Sequence, residues 1–185
     1  NLSIAAGTRP TIANVALASG NTVKGLNVNA SSGTGISGAS VGTLTINNVA
    51  VTNSGGAGVS LANGTLTVTF SSVSSTGGAN GIFLSQVGGS FTSNGGTIQN
   101  ATGHGTQASN TSSGPLNFTL TNSVVTANGS NGINFDIPSG SGSFGTITIT
   151  SNTITNNFST GLRANIQGSG SISKIDIGSN TFSGT

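Results

Sequence analysis

The chain has 185 residues and a formal net charge of +2, and only 3% of its residues are charged, against about 25% in an average soluble domain. Two surplus positive charges exclude a nucleic-acid interface, which needs Lys and Arg clustered on one face. The absence of Cys excludes disulfides and thiolate metal sites. No apolar run approaches the ~18 residues of a membrane helix, so we expect no membrane insertion.

In chain order, the sequence repeats a motif in which Gly is followed by an apolar residue, any residue and, in most copies, a second apolar residue. The first repeat begins with Asn21 to Val28, where we expect Val23 and Leu26 to point inward. The marker glycines follow at Gly35, Gly58, Gly81, Gly105, Gly132 and Gly161. Their spacings are 23, 23, 24, 27 and 29 residues. A recurrent period of this length indicates a solenoid.

Each repeat also contains an apolar–Thr–apolar–polar motif, whose first residue we call the lead residue, and one further apolar position, the closing residue. Period-2 alternation predicts strands with one buried face. Three strands per repeat predict three inward columns. The predicted lead column is Leu44, Leu66, Phe91, Phe118, Ile147 and Ile175. The predicted closing column is Val51, Val73, Ile98, Val125, Ile154 and Phe182. The predicted marker column is Ile36, Val59, Ile82, Thr106, Ile133 and Leu162.

These columns predict an all-β fold. Helices are excluded because Gly, Asn, Ser and Thr are weak helix formers and no stretch carries a helical apolar stripe. A regular repeat stacks each strand on its own copy, and the default winding of parallel crossovers is right-handed. We therefore predict a right-handed parallel β-helix, a three-sided solenoid of about seven to eight rungs with roughly 22–29 residues each. Residues 1–185 form one solenoid segment with no internal boundary.

Two stretches, residues 20–28 (GNTVKGLNV) and residues 151–157 (SNTITNN), resemble the repeats of right-handed parallel β-helix proteins. That group includes the pectin-lyase-like superfold and large bacterial surface and fibre proteins. The resemblance covers nearly the whole chain and implies the architecture. It implies activity less directly, because lyases of this fold use a cluster of acidic Ca²⁺ ligands and a basic catalytic residue, whereas other members are inert stalks.

Two loops lengthen the later repeats. The distance from lead residue to marker glycine is nearly constant at 14 or 15 residues, so we assign the growth of the repeat to the loop after the marker strand. The longest loops are Asp136–Ser143 and Asn165–Gly170. Variable loops on a rigid scaffold often carry function, whereas their Gly and Ser content favours plain spacers.

The few ionisable residues do not assemble a catalytic set in the sequence. Asp136 is expected to lie outward beside Asn165, with Arg163 diagonal to it as an ion pair. His104 is expected to be a solvated turn residue, and Lys174 and Asp176 should neutralise each other on one strand face. One carboxylate is too few for Ca²⁺, and glycoside hydrolysis needs two carboxylates flanking one bond. We expect no enzyme activity, no metal site and no cofactor.

One outward surface is a candidate binding face. The residue after each lead residue is usually Thr, and the residue two positions later is Thr or Asn. The candidate residues are Thr45, Asn47, Thr67, Thr69, Thr92, Asn94, Thr119, Thr121, Thr148 and Thr150. Such a Thr grid resembles the ice-binding face of some solenoid antifreeze proteins, and carbohydrate is a second possible ligand. Thr also suits any exposed strand, so an ordinary sheet surface remains open.

The ends of the repeat series suggest the role of the segment. Leu2 to Ile12 matches the repeat poorly, and residues 180–185 stop within a rung without a recognisable cap. Uncapped rungs favour end-to-end self-association or continuation within a longer chain. We therefore expect a structural element of an extracellular bacterial surface or fibre protein, such as a stalk, filament or adhesive scaffold. The alternatives are an ice- or carbohydrate-binding solenoid and a non-catalytic segment of a polysaccharide-acting enzyme.

Overall fold

A computed structural model describes residues 9–110 and 114–184. Every regular secondary-structure element in these two ranges is a β-strand. The strands are β1 (Thr11–Ile12), β2 (Val15–Ala16), β3 (Thr22–Lys24), β4 (Asn27–Ala30), β5 (Ile36–Gly38), β6 (Gly42–Asn53), β7 (Val59–Thr76), β8 (Ile82–Gln99), β9 (Thr106–Ser109), β10 (Leu116–Thr126), β11 (Ile133–Ile137), β12 (Ser143–Thr150), β13 (Thr153–Thr155), β14 (Leu162–Ile166), β15 (Ser171–Gly178) and β16 (Thr181–Ser183). Every pairing between them is parallel. The predicted parallel β-solenoid is confirmed. No helix suited to crossing a membrane occurs in these two ranges.

Three parallel sheets, which we call the marker, lead and closing sheets, surround one core. The marker sheet contains β2, β5, β9, β11, β14 and the first parts of β7 and β8. The long strands β7 and β8 continue through the lead sheet into the closing sheet. The marker column is confirmed, and Val15 extends it to seven rungs: Val15, Ile36, Val59, Ile82, Thr106, Ile133 and Leu162. At the start of the chain, β1 pairs with β4 in the closing sheet, and residues 1–8 lie outside the described residues.

The core is a thin apolar column in which aromatic rings continue from rung to rung. Successive ring centroids lie 5.1 to 5.7 Å apart. The rings are those of Phe70, Phe91, Phe118, Phe135 and Phe144, and each is at most 1% exposed. Aromatic pairs at such distances contribute about 0.5–1.5 kcal/mol each beyond their buried area. This stack helps to explain how a chain with 32% hydrophobic residues closes a core.

The lead column differs from the prediction by two residues in its first two rungs. Phe91 pairs with Val68 rather than with Leu66, and Val68 pairs with Ile46. Leu66 pairs instead with Gly89. The lead column is therefore Ile46, Val68, Phe91, Phe118, Ile147 and Ile175.

The closing column shows the same offset. Ile98 pairs with Ser75 rather than with Val73, as the prediction had it. Leu44, Leu66 and Val73 are nevertheless at most 1% exposed. The inward direction of each side chain was thus predicted correctly, and the stacking partners were wrong.

The offset arises in the turn between the closing and marker sheets. Asn53, Ser75 and Ile98 stack on one another. The next marker glycine follows 5 residues after Asn53, 6 after Ser75 and 7 after Ile98. Growth of the repeat therefore occurs at this turn as well as in the loops after the marker strands. A slip of two residues preserves the strand alternation, so the sequence pattern does not reveal it.

The marker glycines are required by close packing between rungs. A Cβ atom on Gly81 would lie 2.7 Å from the carbonyl oxygen of Gly105 and 2.3 Å from Cγ2 of Ile98. A Cβ atom on Gly105 would lie 2.6 Å from the carbonyl oxygen of Gly132. Both distances to backbone oxygen are shorter than any ordinary contact, so β8 and β9 enter their rungs at positions that only Gly fits.

Asparagine side chains form ladders inside two of the corners. The backbone N–H of Ser123 donates to Oδ1 of Asn152 at 2.9 Å, and the backbone N–H of Asn152 donates to Oδ1 of Asn180 at 2.9 Å. At the corner before the marker sheet, Nδ2 of Asn128 donates to Oδ1 of Asn157 at 2.8 Å. Asn128, Asn152 and Asn157 are at most 2% exposed. The ladders satisfy polar groups that would otherwise be buried without partners.

The first long loop is shorter than predicted. Asp136 and Ile137 belong to β11, and Ile137 is fully buried. Phe144 follows the loop and is also fully buried in the core. The remaining loop residues bond with the next loop, since the backbone N–H of Ser169 donates to the carbonyl oxygen of Gly140 at 3.0 Å. The two loops therefore stack on each other instead of extending as separate spacers.

Candidate functional site

The outward side chains of the lead sheet form an array of Thr, Asn and Ser in three columns. The central column contains Asn47, Thr69, Thr92, Thr119 and Thr148 on successive rungs. A second column, two residues earlier, contains Thr45, Thr67, Ser90 and Asn117. A third column, two residues later, contains Asn94, Thr121 and Thr150. We call these residues the Thr array.

The structure places all the candidate binding residues on this one face but changes their columns. Thr45 and Thr67 were predicted to stack in line with Thr92, and they stack instead with Ser90. Thr69 takes their place below Thr92. This correction follows from the offset of two residues in the lead column. It makes the central column a run of four successive Thr residues.

The four Thr residues of this run are Thr69, Thr92, Thr119 and Thr148. Their side-chain hydroxyl groups have no hydrogen-bond partner among the described residues. Thr69 is exposed, and the other three are half-buried by their neighbours in the array. In the third column, by contrast, Oγ1 of Thr121 donates to Oδ1 of Asn94 at 3.0 Å. The central hydroxyls are thus available to solvent or to a ligand.

Charged residues of the lead sheet lie only at its two ends, within the part of the chain that the structure describes. Lys24 pairs in register with Asn47 at one end. At the other end, Nζ of Lys174 lies 2.8 Å from Oδ2 of Asp176, which confirms the predicted ion pair. Both side chains of that pair are largely exposed, so it contributes little to stability.

A second polar cluster lies on the outward face of the marker sheet. Gln107, Asn134 and Arg163 stack on successive rungs. Nδ2 of Asn134 donates to Oε1 of Gln107 at 2.8 Å, and Nη1 of Arg163 donates to Oδ1 of Asn134 at 3.3 Å. Nδ2 of Asn131 donates to the same Oδ1 at 3.2 Å. The amides therefore bond to one another, and sequence reasoning did not identify this cluster.

The predicted ion pair between Asp136 and Arg163 is not formed. Asp136 pairs in register with Asn165, as predicted, and its Oδ1 accepts from Nδ2 of Asn165 at 2.7 Å. Arg163 pairs with Asn134, and its guanidinium donates to the Asn134 amide. Neutral amides on both sides satisfy the two charged groups, so a direct contact between them is not needed.

His104 is part of this cluster and is half-buried, so the prediction of a solvated turn residue was wrong. The backbone N–H of Asn131 donates to Nδ1 of His104 at 3.2 Å, which requires an unprotonated Nδ1. Burial lowers the pKa of His104, and the positive charge of Arg163 lowers this pKa further. The negative charge of Asp136 raises it and offsets part of the effect. His104 is therefore held in its neutral form.

The two carboxylates of the chain lie on different sheets, Asp136 on the marker sheet and Asp176 on the lead sheet. They cannot flank one glycosidic bond from these positions. No group of three or more His, Asp or Glu residues that could hold a metal ion occurs in residues 9–110 and 114–184.

Open depressions occur on two sides of the solenoid. One, of about 740 Å³, lies beside the lead sheet and is lined mainly by Gly, Asn and Thr with Gln86 and Pro115. The other, of about 540 Å³, lies on the marker side and is lined mainly by Gly and Ala with Phe83 and Asn80. Neither contains an ionisable side chain. They therefore carry no recognisable reactive group.

Comparison with known proteins gives one finding on the fold. The family model described as "Right handed beta helix region" matches residues 12–182. No curated protein and no solved structure matches the chain. The matched range includes all three sheets, both asparagine ladders and the whole Thr array.

Proposed function

The chain belongs to the right-handed β-helix family, and from this premise we propose that it is a rod-forming structural element of an extracellular bacterial surface or fibre protein. In this proposal the solenoid is a scaffold whose end rung receives a further rung. The partner is a second copy of this chain, stacked head to tail, or the same geometry continued within a longer protein.

The observation that carries the proposal is the exposure of the last rung that the structure describes. Its inward residues Ile175, Ile177 and Phe182 are 43%, 53% and 45% exposed. The corresponding residues one rung earlier, Ile147 and Ile149, are fully buried. Covering the last rung would remove apolar surface from water and would pair the free edge of β15, both of which stabilise a stacked rung.

The charge distribution supports stacking of this kind. The formal net charge is only +2, and the one ion pair of the last rung, Lys174 with Asp176, is neutral overall. Two copies that approach along the rod axis therefore meet little electrostatic repulsion. Because the two ends of a solenoid are different surfaces, the contact is heterologous, and such contacts continue into filaments when the rotation does not close.

A scaffold role also implies that the segment has no catalytic activity of its own. The arrangement of the charged groups supports this part of the proposal, because Asp136 and Asp176 are on different sheets and His104 bonds a backbone N–H. Cleavage of a polysaccharide by the purified chain, lost in Asp136→Asn or Asp176→Asn, would contradict it.

The test of the rod is self-association. We expect sedimentation velocity to show particles that grow with protein concentration, and electron microscopy to show rods of one solenoid width. Ile177→Lys places a charge in the stacking surface and should leave the chain monomeric. A matched control, Thr52→Lys, adds the same charge at an exposed position of the closing sheet that has a paired strand on both sides, and should not affect assembly.

The outcomes separate clearly. A monomeric wild-type chain at all concentrations would contradict end-to-end stacking. Equal loss of assembly in Ile177→Lys and Thr52→Lys would mean that net charge, and not the exposed rung, controls association. Circular dichroism of both variants confirms that the remaining rungs are folded.

A further inference from the structure

We propose that the Thr array on the lead sheet binds the ordered water lattice of an ice surface. This activity goes beyond the structural role and does not depend on it, because the array lies on the side of the rod and the stacking surface lies at its end. Four features of the central column support the proposal: its spacing, its rigid support, its free hydroxyl groups and its lack of charged side chains.

The spacing of the central column is regular across the strands, and the register shifts only beside it, after Asn47 and before Phe118. Asn47, Thr69, Thr92, Thr119 and Thr148 pair in register without a bulge between any two of them. Neighbouring parallel strands lie about 4.8 Å apart, and residues two apart along a strand lie roughly 6.7 Å apart. The oxygen atoms on the faces of hexagonal ice repeat at distances of the same order. A ligand that is itself a two-dimensional lattice can therefore contact several rungs at once.

The array rests on a rigid layer. The inward residues that alternate with it, including Val68, Phe91, Phe118 and Leu120, are at most 1% exposed. The rings of Phe91 and Phe118 are stacked with their centroids 5.3 Å apart and an interplanar angle of 8°. Close-packed interiors do not deform easily. The Thr side chains are therefore held in place before any ligand arrives, which lowers the entropy cost of binding.

The chemistry of the central column suits water that is partly ordered. Each Thr offers one hydroxyl, which can donate and accept, and one methyl group. The hydroxyls of Thr69, Thr92, Thr119 and Thr148 have no partner among the described residues, so they can bond water molecules at the lattice spacing. The methyl groups between them cannot bond water and favour an ordered layer that bridges the hydroxyls.

The central column carries no charged side chain between Lys24 and Asp176. Arg9 lies at one edge of the array, where its guanidinium donates to Oγ of Ser71 and Oδ1 of Asn48. A strongly hydrated ammonium or carboxylate group would hold water in its own geometry and disrupt a lattice. Lys24 lies beyond Asn47 at one end, and the Lys174–Asp176 pair lies beyond Thr148 at the other. Five successive rungs are therefore free of charge at the central column.

The other two faces lack this combination. On the marker sheet, Asn134 bonds both Gln107 and Arg163, so the polar groups there are already paired. On the closing sheet, Oγ1 of Thr155 donates to Oγ1 of Thr126 at 3.1 Å, and the apolar Val124 interrupts the polar surface. The lead sheet is the face on which a regular row of Thr remains free.

The experiment measures adsorption of fluorescently labelled protein to a growing ice hemisphere and inhibition of ice recrystallisation. We expect the wild-type chain to enter the ice and to keep crystals small. Thr119→Lys adds a long charged side chain at the centre of the array and should reduce adsorption to that of a non-binding protein. Thr119→Val keeps the methyl group and removes one hydroxyl, and should give a partial loss.

The matched control is Thr153→Lys, which adds the same side chain on the exposed closing sheet and should leave adsorption unchanged. Exclusion of the wild-type chain from ice would overturn the proposal, and so would equal adsorption by the two Lys variants. Binding of the wild type to crystalline cellulose without binding to ice would replace ice by a carbohydrate surface and would also overturn it. Because each assay is read per labelled chain, these results hold whether or not the rods stack.

Discussion

Thr106 lies in the marker column between Ile82 and Ile133 and is fully buried. Its hydroxyl oxygen has no hydrogen-bond partner among the described residues. The corresponding positions on the six other rungs are Val, Ile or Leu, among them Ile36 and Val59. The core therefore provides an apolar environment for a polar group at this position. Thr106→Val replaces the hydroxyl by a methyl group of nearly the same size and creates no cavity.

The magnitude follows from the cost of the unsatisfied hydroxyl. A buried polar group without a partner costs about 1–3 kcal/mol, and Val avoids this cost. The free energy of unfolding should rise by about this amount. For chains of this length, 1 kcal/mol corresponds to roughly 2–4 °C in Tm, so the expected increase in Tm is on the order of 2–12 °C.

Thermal unfolding followed by circular dichroism gives Tm, and urea titration gives the free energy of unfolding. The matched control is Thr153→Val, the same substitution at an exposed position, for which we expect a change within about 0.5 kcal/mol. A fall in stability of Thr106→Val would show that the hydroxyl has a partner in solution, and the account of this core position would then be refuted. No difference between Thr106→Val and Thr153→Val would refute it equally.

Three further predictions concern the core, the corner ladders and pH. Ile133→Asp buries an unpaired charge and should prevent folding or lower Tm far more than Ser141→Asp in the exposed loop, measured by thermal unfolding; equal losses would contradict the marker column. Asn157→Ala removes the acceptor of both the backbone N–H and one side-chain amide hydrogen of Asn128 and should cost about 1–3 kcal/mol in a urea titration, whereas an unchanged midpoint would mean that the ladder adds nothing. The pKa of His104 is lowered in the folded state, so at pH values below the ordinary pKa of 6.5 the folded state binds fewer protons than the unfolded state. The free energy of unfolding should therefore be highest above pH 6.5 and fall as the pH decreases towards the folded-state pKa. His104→Gln should remove this dependence in urea titrations at pH 8 and pH 5.

Much of the fold could be predicted from the sequence because the solenoid repeats its physical constraints. The six predicted residues of the marker column were correct, since a Gly precedes each of their strands and marks its register. The first rung was not predicted, because Asn14 takes the place of this Gly before Val15. At Gly81 and Gly105, a Cβ atom would collide with a backbone oxygen of the next rung, so no other residue fits there. The direction of each core side chain was also correct, because strand alternation depends only on local sequence.

The stacking partners of the first two lead residues could not be predicted because the corner turns differ in length. A turn of 5, 6 or 7 residues keeps the same inward and outward alternation after a slip of two residues. Leu66 and Val68 are both apolar and both buried, so composition gave no preference between them. The predicted columns of the candidate binding face were offset by two residues for the same reason.

The polar groups were predicted least well. The ladder of Asn152 and Asn180 had a usable signal, since each Asn lies two residues before a closing residue, Ile154 or Phe182. The cluster around His104 had none, because its members come from three rungs and meet only through stacking. Side-chain amides that bond across rungs are a tertiary feature, and their spacing follows the varying length of the repeat.

The vertical stacking of rungs has a mechanical consequence. Successive residues of the marker column are 21 to 29 positions apart in the chain, yet their strands are hydrogen-bonded neighbours. Tension applied to the two ends of the chain should therefore unfold one rung at a time. A rung adds about 4.8 Å to the rod, whereas 27 residues of released chain extend to roughly 90 Å. The released chain of one unfolded rung is therefore almost twenty times as long as the height that the folded rung occupied. Because the rungs unfold separately, the solenoid can lengthen greatly under force through a series of separate unfolding barriers.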